Sequence, residues 1–184
     1  MAKVLVPLAQ GCEELEAITI IDLLRRADIR VVTASLDEHP ITASRGTKLI
    51  ADTTLDQVLD VEFDMVVLPG GLPGADNLNE DRRIHQILEQ TTNRGKPIGA
   101  ICAAPKVLAS AGLLDNKMAT AYPGVLEALD LENTKVTNAV VQRDGNIITS
   151  RGPGTAMEFA LEIITCLVGS EKRDKVEAAL QRPS

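Results

Sequence analysis

Cys102 has the surroundings that most favour chemistry. It lies in Gly99–Pro105 (GAICAAP), where an apolar stretch passes straight into a helical one. Small residues on both sides permit a sharp strand-to-helix elbow that presents a nucleophile. Pro105 suits a first helical turn, where a missing N–H forfeits no hydrogen bond, so the amides of Ala103 and Ala104 are expected to face the sulfur. An ordinary thiol with a pKa near 8.5 is only about 3% thiolate at neutral pH. Helix starts and neighbouring donors bring cysteines to about 3.5–7.5. A thousandfold gain in acidity requires about 4 kcal/mol, and a helix dipole supplies at most about 2 kcal/mol. A second group must help.

The acidic run Gly11–Glu16 (GCEELE) is the obvious source. Glu16 falls in the opening turn of the first helix. A carboxyl beside a thiolate cannot cheaply stay ionised, so its pKa should rise, leaving a neutral acid that donates to the sulfur. The same group could move protons during turnover. Plainer roles are available to both residues: Cys102 as a small core hydrophobe, Glu16 as a favourable helix-start carboxylate. A third segment, Val66–Gly71 (VVLPGG), ends in Gly70 and Gly71, which permit a turn that aims amides at an oxyanion. A glycine pair is weak evidence until the cysteine elbow stands beside it.

Other reactive side chains fit less well. Cys166 lies among Ile163, Ile164, Leu167 and Val168 and is expected to pack in the core. Cys12 is a loop thiol, at most a secondary target of oxidation. His39 and His85 are the only histidines, in segments expected to be a surface loop and an outer helix, so neither a zinc site nor a Cys–His pair is expected. Arg151–Thr155 (RGPGT) is a constrained turn, with anion binding by Arg151 a minority role. No loop has the dinucleotide fingerprint or the Walker lysine pattern, and no cofactor or metal is expected.

The whole chain sets further bounds. Its 184 residues suit one domain, 1–184. A net charge of -7 without a basic cluster, two Phe, one Tyr and no Trp argue against a stable nucleic-acid surface or stacking platform. The short apolar run at the N-terminus suits a first strand better than a signal peptide, and no stretch reaches the ~20 apolar residues of a membrane helix. Three cysteines without CxxC spacing fit a reducing cytosol, so a cytoplasmic protein is expected.

Strands are expected at 3–8, 30–36, 63–68 and 97–101, and helices at 14–27, 80–93, 103–111, 156–168 and 171–181. A hairpin is expected over 40–50, a short helix over 52–59, a short strand at 117–121 and a helical turn at 125–129. Strands 136–141 and 146–149 should flank the Asp144–Gly145 turn. Thr155 with Glu158 suggests a capping box, and Ser170 a cap for the last helix. Apolar strands alternating with helices imply an α/β fold: a three-layer sandwich around a mainly parallel, doubly wound sheet. In such sheets ligands bind outside the carboxyl ends of the strands, where 11–16, 70–74 and 102–105 all fall.

Those loops, with Asp22–Arg26, Ser44–Arg45 and Ser150–Thr155 in order, carry a resemblance over essentially the whole chain. It resembles the ThiJ/PfpI superfamily, on the branch of the parkinsonism-associated protein deglycase and its bacterial relatives. The resemblance implies a flavodoxin-like sandwich and a homodimer. It places the oxidisable nucleophile on Cys102, its acid partner on Glu16, backbone donors on Gly71 and Ala103, and pocket positions on Gly70 and Tyr122. Arg26 and Arg45 become candidates for the dimer interface. Tyr122 stands where the human member of the branch has a histidine, and Ala103 where the peptidase-like branch has one, which argues against proteolysis.

The function so implied is cofactor-independent glyoxalase or deglycase chemistry. Substrates would be methylglyoxal or glyoxal, or their early adducts with protein or nucleotide amines and thiols, giving lactate or glycolate. The alternative is an oxidative-stress sensor or chaperone built on an oxidisable cysteine. A glutamine-amidotransferase-like activity fits poorly without a histidine to activate Cys102.

Overall fold

The computed structural model describes residues 1–182. Its elements run β1 (Lys3–Leu8), α1 (Glu14–Arg26), β2 (Arg30–Ser35), β3 (Ile41–Thr42), β4 (Lys48–Leu49), β5 (Thr53–Thr54), β6 (Met65–Leu68), α2 (Gly74–Glu80), α3 (Arg82–Asn93), β7 (Ile98–Ile101), α4 (Pro105–Ser110), β8 (Met118–Ala119), β9 (Lys135–Val136), β10 (Val141–Asp144), β11 (Ile147–Ser150), α5 (Ala156–Val168) and α6 (Ser170–Ala179). The main sheet has the order β10-β11-β7-β6-β1-β2-β5. All its pairings are parallel except β10 with β11. β1 is therefore the strand from which the chain first winds one way, to β2 and β5, and then the other, to β6, β7 and β11.

Successive side chains on a strand face opposite ways, and both faces of this sheet are covered. Val4, Val6 and Leu8 of β1 join Ile20 and Leu24 of α1 and Phe159 and Ile163 of α5 in one core. Leu5, Val66, Leu68 and Ile98 meet Ile84 and Leu88 of α3 and Val107 and Leu108 of α4 in the other. Burying one such side chain is worth about 1.5–3 kcal/mol, which is why the strands are continuous apolar runs. The expected α/β sandwich is the observed fold.

Helix α1 is held at both ends. Glu14 and Glu16 lie in its first turn and Arg25 and Arg26 in its last, each sign matching the helix dipole. Ser44 Oγ donates to Glu13 at 2.7 Å and to Glu14 at 3.1 Å, and the Arg45 amide donates to Glu14 at 3.0–3.1 Å. The β3–β4 hairpin thereby clips the helix start. Burial works against ionisation of Glu14, but N–H donors from its own helix start, Arg45 and Thr47 outweigh it and hold the carboxyl at about 2.

Several local expectations are corrected. Residues 52–59 contain β5, paired with β2, and a 3-10 turn over Leu55–Val58. Residues 125–129 keep the expected turn, the Leu129 amide donating to the Leu126 carbonyl at 3.1 Å. The strand expected at 136–141 lies at Val141–Asp144, so that Asp144 pairs with Ile147 across the turn. The glycine-rich loop passes into α2 at Gly74, an element the turn signals concealed. No capping box forms on α5: the Thr155 hydroxyl lies 2.7 Å from Ser150 Oγ and accepts from the Gly152 amide at 3.1 Å. Ser170 is the first residue of α6, with Gly169 at the cap. No helix among the described residues is long and apolar enough to cross a membrane.

Candidate active site

Cys102 leaves β7 with φ 63, a left-handed backbone that L side chains seldom adopt. Such a conformation costs on the order of 1–3 kcal/mol and persists where its surroundings hold it. Here the Cys102 amide donates to the Ser150 carbonyl at 3.0 Å, and its carbonyl accepts from the Tyr122 amide at 2.9 Å. The elbow is thus pinned from β11 on one side and from the segment after β8 on the other. The side chain is 9% exposed.

The Gly71 and Ala103 amides act on the sulfur and favour its ionised form. The Ala104 amide does not; it closes a turn on the Ile101 carbonyl at 3.0 Å. One of the two amides expected from the elbow is therefore spent inside it, and the second donor comes from the loop after β6. α4 begins at Pro105 as expected.

Glu16 is wholly buried, at 0% exposure. Its Oε2 accepts from the Gly70 amide at 2.8 Å, while Oε1 has no hydrogen-bond partner among the described residues. Burial pushes the carboxyl up to about 7, against the lowering influence of the Gly70 N–H and the Cys102 side chain. The shift is in the expected direction and leaves the carboxyl between its charged and neutral forms near pH 7. Cys102 departs from its expectation. Burial, then the Glu16 charge, push its thiol up to about 12, and the Gly71 and Ala103 amides return only part of that.

The free resting thiolate expected from the elbow is thus corrected. A nearly enclosed sulfur beside a carboxyl is costly to ionise, and two amides do not cover the cost. Both groups are raised, so the doubly ionised pair is the disfavoured state and one proton serves two atoms. Glu16, at about 7, is matched to take the sulfur's proton as a bond to carbon forms, and to return it.

Glycines make the approach possible. A Cβ on Gly70 would lie 2.6 Å from Cys102 Cβ and 2.8 Å from Glu16 Oε2. One on Gly71, which has φ 90, would lie 2.3 Å from the Glu13 amide nitrogen, and one on Gly74 2.5 Å from that of Cys12. The loops after β1 and β6 therefore touch backbone to backbone, tied by Glu13 N–H to the Gly70 carbonyl at 2.9 Å. That contact sets α1, and Glu16 with it, against the elbow.

The fourth wall escaped sequence reasoning. A Cβ on Gly152 would meet Tyr122 Cδ2 at 3.2 Å and Cys102 Sγ at 3.9 Å. The RGPGT turn thus runs directly beside the sulfur. Its position in the chain, just past a strand end, was the one available signal.

The remaining candidates stand apart. Cys12 is sealed, its thiol pushed up to about 12 by burial and by the charge of Glu14. Cys166 is partly buried at the edge of the α5 core. His39 is exposed beside Asp37, and His85 Nε2 meets the Asn79 carbonyl at 2.8 Å. Arg26 is exposed and pairs with Asp22 at 2.7 Å, and Arg45 lies at the exposed hairpin turn. Among the described residues no cluster of His, Cys, Asp or Glu could hold a metal ion.

Similarity to known proteins agrees with this geometry. Residues 2–166 match the DJ-1/PfpI family. Protein dj-1beta of Drosophila melanogaster is 45% identical over 177 residues, covering 96% of this chain and 95% of its own. The glutathione-independent glyoxalase DJR-1.2 of Caenorhabditis elegans is 34% identical over 175 residues, covering 95% and 92%. The chain spans less than half of two Arabidopsis thaliana relatives, DJ-1 homologs A and B: 46% and 39% of their lengths. The crystal structure of Drosophila DJ-1beta superposes with a TM-score of 0.95 at 43% identity, covering 100% of this chain and 99% of that one. The chain belongs to the DJ-1/PfpI family.

Proposed function

We propose that this protein is a cofactor-independent glyoxalase and deglycase acting on small α-oxoaldehydes and on their early adducts with amines and thiols. The observation that carries the reading is the convergence on one sulfur of two amide donors and a buried carboxyl poised near neutrality. The similarity to the glutathione-independent glyoxalase of Caenorhabditis supports it.

Cys102 adds to the aldehyde carbon of methylglyoxal: an S–C bond forms, the carbonyl π pair moves to oxygen, and the thiol proton passes to Glu16. The Gly71 and Ala103 amides line the place where that negative oxygen develops. Glu16 then gives its proton to the oxygen, removes the C1 hydrogen as a proton to leave an enediolate, and returns it at C2 while the C1 hydroxyl proton passes to the C2 oxygen. The product is a lactoyl thioester. Water cleaves it, releasing lactate and restoring the thiol, with no net oxidation. In an amine adduct the sulfur displaces the amine from that carbon: the S–C bond forms, the C–N bond breaks, and the thiol proton reaches the departing nitrogen through Glu16.

We further assign the chain to a single domain over 1–184 acting as a homodimer, with Arg26 and Arg45 at the contact. Support for the contact comes from Leu15 and Ile18, two large apolar side chains exposed on α1, the helix that carries Arg26.

Lactate formation from methylglyoxal without glutathione tests the function. Wild type should produce it, while Cys102→Ser and Glu16→Gln should lose at least a hundredfold in rate. Equal, negligible rates in all three would remove the enzyme reading and leave the redox sensor.

A further inference from the structure

We infer that Tyr122 is a specificity-determining residue: its ring forms an apolar lip beside Cys102 that selects α-oxoaldehydes carrying an aromatic or alkyl substituent over glyoxal itself. The inference rests on the function proposed above and names its preferred substrates.

Three observations carry it. First, the ring stands across Gly152 from the sulfur. The point 3.2 Å from Tyr122 Cδ2 and 3.8 Å from its Cε2 is also 3.9 Å from Cys102 Sγ, and only a hydrogen occupies it. A ring edge, and not a hydroxyl, therefore borders the gap. Second, the backbone fixes this lip to the nucleophile, because the Tyr122 amide donates to the Cys102 carbonyl at 2.9 Å and the following turn closes through the Val125 amide on the Tyr122 carbonyl at 3.0 Å. Third, the ring is open to solvent. Tyr122 is 52% exposed, and Leu72, directly after the donor Gly71, is 57% exposed.

A broad apolar ring held beside a reacting group offers an incoming substituent surface to bury. The polar groups of the site, Glu16 and the two amides, are occupied with the reacting carbonyl. A substituent on the second carbonyl carbon must extend outward from the sulfur, and Tyr122 is the broad apolar surface at that exit. Glyoxal has no such substituent. Methylglyoxal offers one methyl and phenylglyoxal a ring, for which offset or edge-to-face contact with Tyr122 adds to simple burial.

Two readouts on the full-length protein test this. The ratio of kcat/KM for phenylglyoxal to that for glyoxal should exceed one in wild type, fall about tenfold in Tyr122→Ala, and be retained in Tyr122→Phe. A ratio unchanged within about twofold in Tyr122→Ala overturns the proposal. The second readout needs no turnover: mass-spectrometric rates of Cys102 alkylation by N-phenyl iodoacetamide relative to iodoacetamide. That ratio should also fall in Tyr122→Ala and hold in Tyr122→Phe. If no aldehyde is turned over while the alkylation ratio falls, the enzymatic function fails and the lip stands; a flat alkylation ratio removes the lip whatever the aldehydes do.

Discussion

Gly70 donates its N–H to Glu16 Oε2 at 2.8 Å and leaves no room for a side chain of its own beside that carboxylate. One residue thus orients the acid and, by lacking a Cβ, lets acid and sulfur approach. Gly70→Ala should keep the fold, because this glycine is not among those with positive φ. The added methyl would press on the Ile101 carbonyl, on Cys102 Cβ and on the carboxylate. Overpacking of this kind costs about 1–3 kcal/mol, and a displacement of about 1 Å at a reacting pair costs about a hundredfold in rate. Lactate production should fall by that factor while the far-ultraviolet circular dichroism stays that of wild type.

Glu16 should also write itself into the stability. Its folded pKa of about 7 lies above the 4.5 of a free glutamate. The folded state therefore holds a proton that the unfolded chain has released between those pH values. The stabilisation is complete below about 4.5 and is lost as pH rises through about 7. In full it is of order 3 kcal/mol. Glu16→Gln does not titrate, so in urea unfolding it should gain on wild type by that order between pH 4.5 and pH 8. A constant difference across that range would place the carboxyl pKa near its unfolded value.

The charge of Glu16 is the second cause of the raised Cys102 thiol, after burial. A glutamine keeps a hydrogen-bonding group there and removes the charge. Glu16→Gln should therefore lower the pH at which Cys102 ionises, read from thiolate absorbance in a background lacking Cys12 and Cys166. A rise instead would show that the acid acts chiefly as a proton donor that stabilises the thiolate.

What was legible in the chain follows from the range of each interaction. Strands buried on both faces must be apolar throughout, so β1, β6 and β7 announce themselves, and small residues around Cys102 announce the elbow. Thr53 and Thr54 carry no such signal: they form β5 because β2 offers an open edge, which no local pattern records. Thr155 has the spacing of a helix cap, yet Ser150 and Gly152 engage its hydroxyl first. The Cys102 thiol departs from its expected acidity for a related reason. Donors can be inferred from a turn, but the burial that outweighs them is made by Gly152, Glu16 and Gly70, brought from three distant segments.

Lys106, the second residue of α4, pairs with Asp76 near the start of α2. The two helices begin just after the two loops that supply the sulfur's amide donors, Gly71 and Ala103. The pair is partly exposed, so it should contribute no more than about 1 kcal/mol to stability. Its effect is expected in positioning: among the described residues no other side-chain hydrogen bond or ion pair joins α2 to α4. Lys106→Met and Asp76→Asn should each lower kcat for methylglyoxal several-fold with little change in KM, because the amides act on charge that develops after binding. The charge-swapped double variant, Lys106→Asp with Asp76→Lys, should recover most of the loss. A structural role alone would lower the melting temperature and leave kcat intact, so kcat losses that track neither the pair nor its restoration would assign the donor geometry to the glycine contacts by themselves.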